Sequence, residues 1–289
     1  MKIDLKTATI LLVLGFVWGS SFILMKRGLV SFSPMQVASL RLVFAGLVSC
    51  TFLIKYFKQL KGKDWLFLTL SGITGNFLPA FLFASAVSEI PSSLTGALNS
   101  MTPFFALIFG VLLFSQLFLV RQVIGISIGL AGALILILSK SETGFSFQTD
   151  YILPSLKVIF AALLYGLNVN IIKSKLQHLT PLINSMVPLT IISVPALFIA
   201  LSQDFVSTLS KPEALHSLLF IAILGIIGTA ASLIVFNQLL KKTSALFASS
   251  VTYLIPVFAY VGIIDGEPVG VFQIGGMLLI LTGITLTKK

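Results

Sequence analysis

The chain has 289 residues, of which 57% are hydrophobic and only 10% charged, and its formal net charge is +10. A soluble domain carries roughly 25% charged residues, so the polar coat of a soluble enzyme, a disordered tail or a nucleic-acid reader is missing. The basic residues stand singly or in pairs between apolar runs, which makes a lipid bilayer the expected partner and nucleic acid an unexpected one.

A membrane-crossing helix needs about 20 mostly apolar residues. Ten such runs follow one another, at 8–27, 34–54, 65–87, 91–114, 120–139, 155–174, 181–202, 217–239, 244–264 and 268–287. They are too long and too uncharged for the alternating strands of a membrane barrel. The expected fold class is therefore an all-α polytopic membrane protein with ten transmembrane helices joined by short loops. The first run follows Lys2 and Lys6 as a signal peptide would. It continues through Trp18 to Met25 without a small-x-small cleavage site, and so reads as a retained span. The single cysteine, Cys50, lies in an apolar run and permits neither an internal disulfide nor a thiolate metal site.

Lysine and arginine set the expected orientation. With both termini in the cytoplasm, thirteen basic residues fall inside: Lys2, Lys6, Lys55, Lys58, Lys61, Lys63, Arg121, Lys173, Lys175, Lys241, Lys242, Lys288 and Lys289. Five fall outside: Lys26, Arg27, Lys140, Lys157 and Lys211. Losing one span would invert every later loop and spoil this bias.

The chain also matches itself. At an offset of 147, Trp18-Gly19 falls on Tyr165-Gly166, Lys26 on Lys173 and Ser33-Pro34 on Thr180-Pro181. At 153, Gly72 and Gly75 fall on Gly225 and Gly228, Phe83 on Phe236 and Pro103 on Pro256. At 151, Gln122, Gly125 and Gly132 fall on Gln273, Gly276 and Gly283. The two changes of offset fit in or beside loops. The expected domains are two five-span units, 1–145 and 150–289, and an odd span count inserts the second in the opposite sense. Inverted repeats of this kind are a frequent plan for secondary transporters, because two such halves can rock about a site near the midplane. They also occur in channels.

Particular motifs carry a family resemblance. Trp18-Gly19-Ser20-Ser21-Phe22 in the first run, Ser33-Pro34 followed by Leu40-Arg41-Leu42-Val43-Phe44, Asn99 to Pro103 in the fourth run, and Gly266-Glu267-Pro268 before the last run stand in this order. Together they resemble the EamA family of the drug/metabolite transporter superfamily over nearly the whole chain. One departure is Gln116, which stands where that family often has Glu and is the counterpart of Glu267. The resemblance implies ten helices in a bacterial inner membrane, export of amino acids or other small metabolites, and a cavity built mainly from spans 1, 3, 4, 6, 8 and 9.

The repeat offers a second route to the site. Polar side chains deep in a bilayer are costly unless they face protein or a cavity. Ser21 matches Asn168, Asn76 matches Thr229, Asn99 matches Thr252, and Ser100 matches Tyr253. These residues, with Trp18 and Tyr165 at matching mid-span places, are the expected substrate-binding set. Ser21, Ser100, Thr229 and Thr252 also suit helix packing or back-bonding to their own helix. Asn76, Asn99 and Asn168 carry amides whose donors and acceptor all need partners. Asn170 lies half a turn from Asn168, so the two cannot both face one cavity. Pro103 and Pro256 are expected hinges, or sites that expose backbone carbonyls, whereas Pro188 and Pro195 read as kinks. Glycines 125, 129, 132, 276 and 283 suit close helix packing.

Arg41 is the one clear intramembrane charge. It is expected to act structurally, by snorkelling to the outer headgroups or by pairing with Glu89 or another outer acid. No Asp or Glu stands mid-span, and both histidines, His178 and His216, are in loops, so no buried proton relay is legible. No phosphate-cradling loop, metal-spaced cluster or catalytic triad is present either. No enzyme, cofactor or metal is expected, and the oligomeric state is open, with a monomer sufficient. The same superfamily leaves open a carrier of sugar phosphates, nucleotide sugars or lipid-linked sugars, and a channel or structural membrane protein is the reading from another class.

Overall fold

The computed structural model describes residues 4–138, 149–260 and 271–287. Lys2, Lys140, Glu142, Asp265, the Gly266-Glu267-Pro268 motif, Lys288 and Lys289 lie outside them, as does the side chain of Gln273. Every regular element among the described residues is helical. Seven stretches are long and apolar enough to cross a membrane by length and composition: Leu5–Gly28, Pro34–Phe52, Gly62–Glu89, Leu94–Phe114, Ile152–Lys175, Pro181–Ser202 and Ala214–Lys242. Three shorter apolar helices, Val120–Ile135, Ala245–Phe258 and Ile274–Thr287, occupy the fifth, ninth and tenth runs.

The first two runs are the helices α1 (Leu5–Leu29) and α2 (Pro34–Tyr56). The third run is not a continuous α-helix: α3 (Gly62–Gly72) passes through a π-helical segment, Ile73–Phe77, into α4 (Leu78–Glu89). The fourth is broken between α5 (Ser92–Asn99) and α6 (Thr102–Phe114), and the fifth is α7 (Val120–Leu138). In the second half, α8 (Ile152–Lys175) and α9 (Pro181–Ser202) are followed by a short α10 (Phe205–Leu209). Then α11 (Ala214–Gly225) passes through a second π segment, Ile226–Ala231, into α12 (Ser232–Lys242). The ninth run is split as α13 (Ala245–Ser249), a 3-10 turn at Ser250–Tyr253 and α14 (Leu254–Tyr260), and the last helix is α15 (Val271–Thr287).

Local chemistry explains several of these boundaries. Pro181 starts α9 without losing a needed donor, and the Thr180 hydroxyl accepts from the Ile183 amide at 3.3 Å. The Asp64 carboxylate accepts from the Lys61 amide at 2.9 Å and so anchors the start of α3. It also contacts His178 Nε2 at 2.9 Å, joining the α3 start to the loop after α8. Helix α10, unforeseen as an apolar run, is capped by Asp204, which accepts from the Ser207 amide.

The irregularities recur in pairs. The π segments begin at residues 73 and 226, 153 apart, and the fourth and ninth runs each break just before a proline, Pro103 and Pro256, which are also 153 apart. A π turn inserts a residue and re-aims the side chains beside it, often at functional sites. Here it places Asn76 and Thr229 within the irregular stretches.

Helices α7 and α15 pack backbone to backbone. A Cβ at Gly125 would lie 2.8 Å from the Gly283 carbonyl oxygen, and one at Gly283 would lie 2.6 Å from the Gly125 oxygen. A Cβ at Gly132 would lie 2.6 Å from the Gly276 oxygen. Position i of one helix thus meets position j of the other and the reverse, which is what a local twofold relation produces. Two buried clusters fill the interior, one around Phe22, Phe83 and Ile221, the other around Leu14, Phe247 and Tyr253. Large apolar side chains such as Leu112, Phe198, Leu215 and Phe272 remain exposed, a surface suited to lipid rather than water.

Candidate functional site

One cavity draws its lining from both halves of the chain. From the first half come Trp18, Ser21, Phe22, Arg41, Asn76, Phe83, Asn99 and Thr102. Facing them are Tyr165, Asn168, Thr229, Phe236, Ser249 and Thr252. Helices α1 and α8, the two π segments and the two broken helices supply almost all of it.

Aromatic rings make the apolar walls. Trp18 and Phe236 stand 5.3 Å apart by centroid, Phe22 and Phe83 5.8 Å, and Phe83 and Tyr165 5.8 Å in a stacked arrangement. The Trp18 indole donates to the Ser232 hydroxyl at 3.0 Å, a bond between the two halves that fixes the ring plane.

The amides differ sharply in their partners. Asn168 is buried, and neither end of its amide bonds to a described residue. Gly75 makes this placement possible, because any side chain there would overlap the Asn168 amide. Asn184 and Asn237 also leave an oxygen unpartnered, but each donates through its nitrogen, to the Leu176 carbonyl and the Ser185 hydroxyl respectively. Asn76 likewise makes no hydrogen bond to a described residue. Asn99 accepts from the Thr102 hydroxyl at 3.3 Å. Asn170 points away from the cavity: it donates to the carbonyls of Ala106 and Gly166 and accepts from Gln116 Nε2 at 3.1 Å. Gln116 therefore ties α8 to the end of α6, an uncharged bond between the halves.

Eight of the ten expected substrate-binding residues line this cavity: Trp18, Ser21, Asn76, Asn99, Tyr165, Asn168, Thr229 and Thr252. Two do not. Ser100 is fully buried and donates to the carbonyl of Thr252 at 3.2 Å. Pro256, four residues on, has no amide hydrogen for that carbonyl. Tyr253 lies against Gly129 and donates to the Ile126 carbonyl at 3.1 Å, locking α7 to the ninth run. Nor do the two prolines themselves line the cavity. The Asn99 carbonyl, which Pro103 cannot reach with a donor, is capped by the Thr102 hydroxyl at 2.7 Å. Both carbonyls are thus met by hydroxyls rather than left bare. Ser21 lines the cavity while its hydroxyl bonds back to Val17 at 2.8 Å, the local alternative open to any helical serine.

Arg41 departs furthest from its expected role. It lines the cavity, and its Nε donates to the Thr229 hydroxyl at 2.8 Å. Glu89, its expected partner, instead accepts from Lys157 Nζ at 2.7 Å. The reason is a close helix approach: a Cβ at Gly225 would lie 2.5 Å from the Arg41 carbonyl oxygen. Helix α2 is thereby pressed against the second π segment, and a long side chain reaches the cavity from a helix outside the expected set.

Sequence reasoning passed over Phe83 and Phe236 as well, although they are a matched pair in the repeat. Trp18 and Tyr165 belong to the expected set, but a phenylalanine carries no polar group to mark it in an apolar run.

The EamA-like transporter family model matches residues 5–138 and 153–288. The chain belongs to this family. It is thus a multi-pass membrane protein of a transporter family, with a cavity where the two matched segments meet. Curated relatives match over most of their own length. An uncharacterized transporter of Bacillus subtilis, YvbV, is 26% identical over 98% of this chain and 92% of its own. A probable amino-acid metabolite efflux pump of Salmonella typhimurium is 22% identical over 96% and 93%. An S-adenosylmethionine/S-adenosylhomocysteine transporter of Chlamydia trachomatis is 25% identical over 91% and 84%. A solved crystal structure, 15% identical, covers 97% of the chain and matches the fold with a TM-score of 0.75.

Proposed function

We propose that this EamA-like transporter is an exporter of amino acids or related small metabolites, working by alternating access in a bacterial inner membrane. Ten membrane helices form two inverted five-helix units, 1–145 and 150–289, with both termini cytoplasmic. The observation that carries this reading is the position of the cavity. Matched residues from both halves surround it, beside π segments that recur at one offset and helix breaks that each precede a matched proline. Such irregular backbone bordering a cavity between repeats is the usual setting of a carrier site. Rocking one unit against the other opens the same amides and rings to either side.

The sugar-phosphate alternative draws less support. Lys26 and Lys173 would be its cations, yet neither lines the cavity. Lys173 Nζ donates to the carbonyl of Leu240, and Lys26 lies in an outer recess with Ser31, Glu89 and Lys211. The efflux pump and the S-adenosylmethionine/S-adenosylhomocysteine transporter among the relatives favour small nitrogenous metabolites.

Counterflow tests the carrier reading. In proteoliposomes, unlabelled internal substrate found by a metabolite-efflux screen is expected to accelerate entry of its labelled form. Entry at the same rate with or without internal substrate identifies a pore instead. Orientation is tested in a Cys50→Ser background, since Cys50 is exposed. In intact cells an impermeant maleimide should label Lys211→Cys and spare Lys61→Cys, and the reverse result overturns the assigned topology.

A further inference from the structure

The cavity has a charge imbalance. Among the described residues, Arg41 is the one cation that lines it, and no Asp or Glu does. The guanidinium is held by a short relay. Arg41 Nε donates to the Thr229 hydroxyl at 2.8 Å, and that hydroxyl donates to the Leu224 carbonyl, five residues back across the π segment, at 3.0 Å. One edge of the fork is thereby fixed, while the terminal nitrogens bond to no described residue. A guanidinium offers five donors in a plane that matches a carboxylate bidentately. A charge away from bulk water is costly unless paired, and no acid among the described lining residues supplies the pair. Glu89, the acid expected to pair with Arg41, instead holds Lys157.

We propose that Arg41 is the substrate's anion anchor. Its terminal nitrogens bind a single carboxylate, while the apolar body of a small organic acid or amino acid packs between Trp18, Phe83, Tyr165 and Phe236. This rests on the carrier reading above and narrows it to carboxylate-bearing cargo. One cation suits one negative charge, whereas a phosphomonoester dianion would leave charge unmatched. The amides of Asn76 and Asn168 are uncharged and accept or donate as the rest of the ligand requires. Thr229 is a positioning residue, because it orients Arg41 rather than the ligand's charge.

The test compares phenylacetate, L-phenylalanine, phenylacetamide and phenyl phosphate as stabilisers of the detergent-purified full chain in thermal unfolding. The two carboxylates are expected to raise the midpoint at concentrations at least tenfold lower than the isosteric amide or the phosphate. Arg41→Gln should erase the preference for acid over amide, and Arg41→Lys should weaken but keep it, because charge remains while the bond to Thr229 is lost. The comparison on the unaltered protein decides even where Arg41→Gln does not fold. Four results would each overturn the proposal: an amide as effective as the acid, a phosphate more effective than the acid, an acid preference that survives Arg41→Gln, or no stabilisation by any acid. Counterflow of the same compounds separates the two readings. Acid binding without counterflow sinks the carrier and keeps the anchor, whereas amide counterflow as fast as acid counterflow sinks the anchor and keeps the carrier.

Discussion

Asn168→Ala and Asn76→Ala are expected to lower transport by about ten- to a hundredfold at subsaturating substrate while leaving the amount of protein in the membrane unchanged. The magnitude follows from losing a hydrogen bond to a charged ligand group, worth about 1.5–3 kcal/mol, at about 1.4 kcal/mol per tenfold. The unchanged abundance follows from the structure. A buried amide normally serves the fold through its hydrogen bonds, and its loss then leaves partners stranded. Asn168 strands nothing, since its amide bonds to no described residue. Asn170→Ala is the contrasting variant. It removes bonds to Ala106, Gly166 and Gln116, so it should reduce the yield of folded protein. Transport by both cavity variants at near-normal rates would remove these amides from the substrate site.

Gly283→Leu is expected to be the most disruptive single change to the fold, lowering the unfolding midpoint of the purified protein by about 6–12 °C or preventing its recovery as a single species. A Cβ at this position would lie 2.6 Å from both the Gly125 carbonyl oxygen and the Gly129 nitrogen. The obstacle is helix backbone, which cannot rotate aside, so α7 and α15 must separate along their contact. Overpacking costs about 1–3 kcal/mol even where side chains can yield, and about 3 kcal/mol corresponds to the shift given for chains of this size. Gly275→Ala is the control: nothing lies within 4 Å of its added Cβ, and alanine favours helix. Equal midpoints for Gly283→Leu and Gly275→Ala would show that this contact does not hold the helices together.

Much of the architecture was legible because a bilayer imposes a simple rule. Segments such as 34–54 and 181–202 had to be apolar and long, and they coincide with α2 and α9 to within about two residues. Self-matching then pointed to Asn76, Asn99 and Asn168 without any reference to shape. Breaks within the runs were signalled only indirectly, by the matched glycines at 72, 75, 225 and 228 and by Pro103 and Pro256. A hydropathy run carries no mark where its backbone passes from α to π geometry.

The amino-acid sequence alone determined that this chain is membrane-embedded, where its apolar runs lie, and which polar residues recur at paired places. Those properties depend on composition and spacing along the chain. Only the tertiary structure decided which of the paired residues meet. Ser100 and Tyr253 turn to satisfy backbone carbonyls, Phe83 and Phe236 become walls, and Arg41 enters a cavity its own helix does not border closely in sequence terms. Each outcome depends on how far a helix is rotated and how near its neighbour comes. In a run that is apolar on every side, no periodicity records that rotation, and the approach of α2 at Gly225 is a contact between residues 184 positions apart.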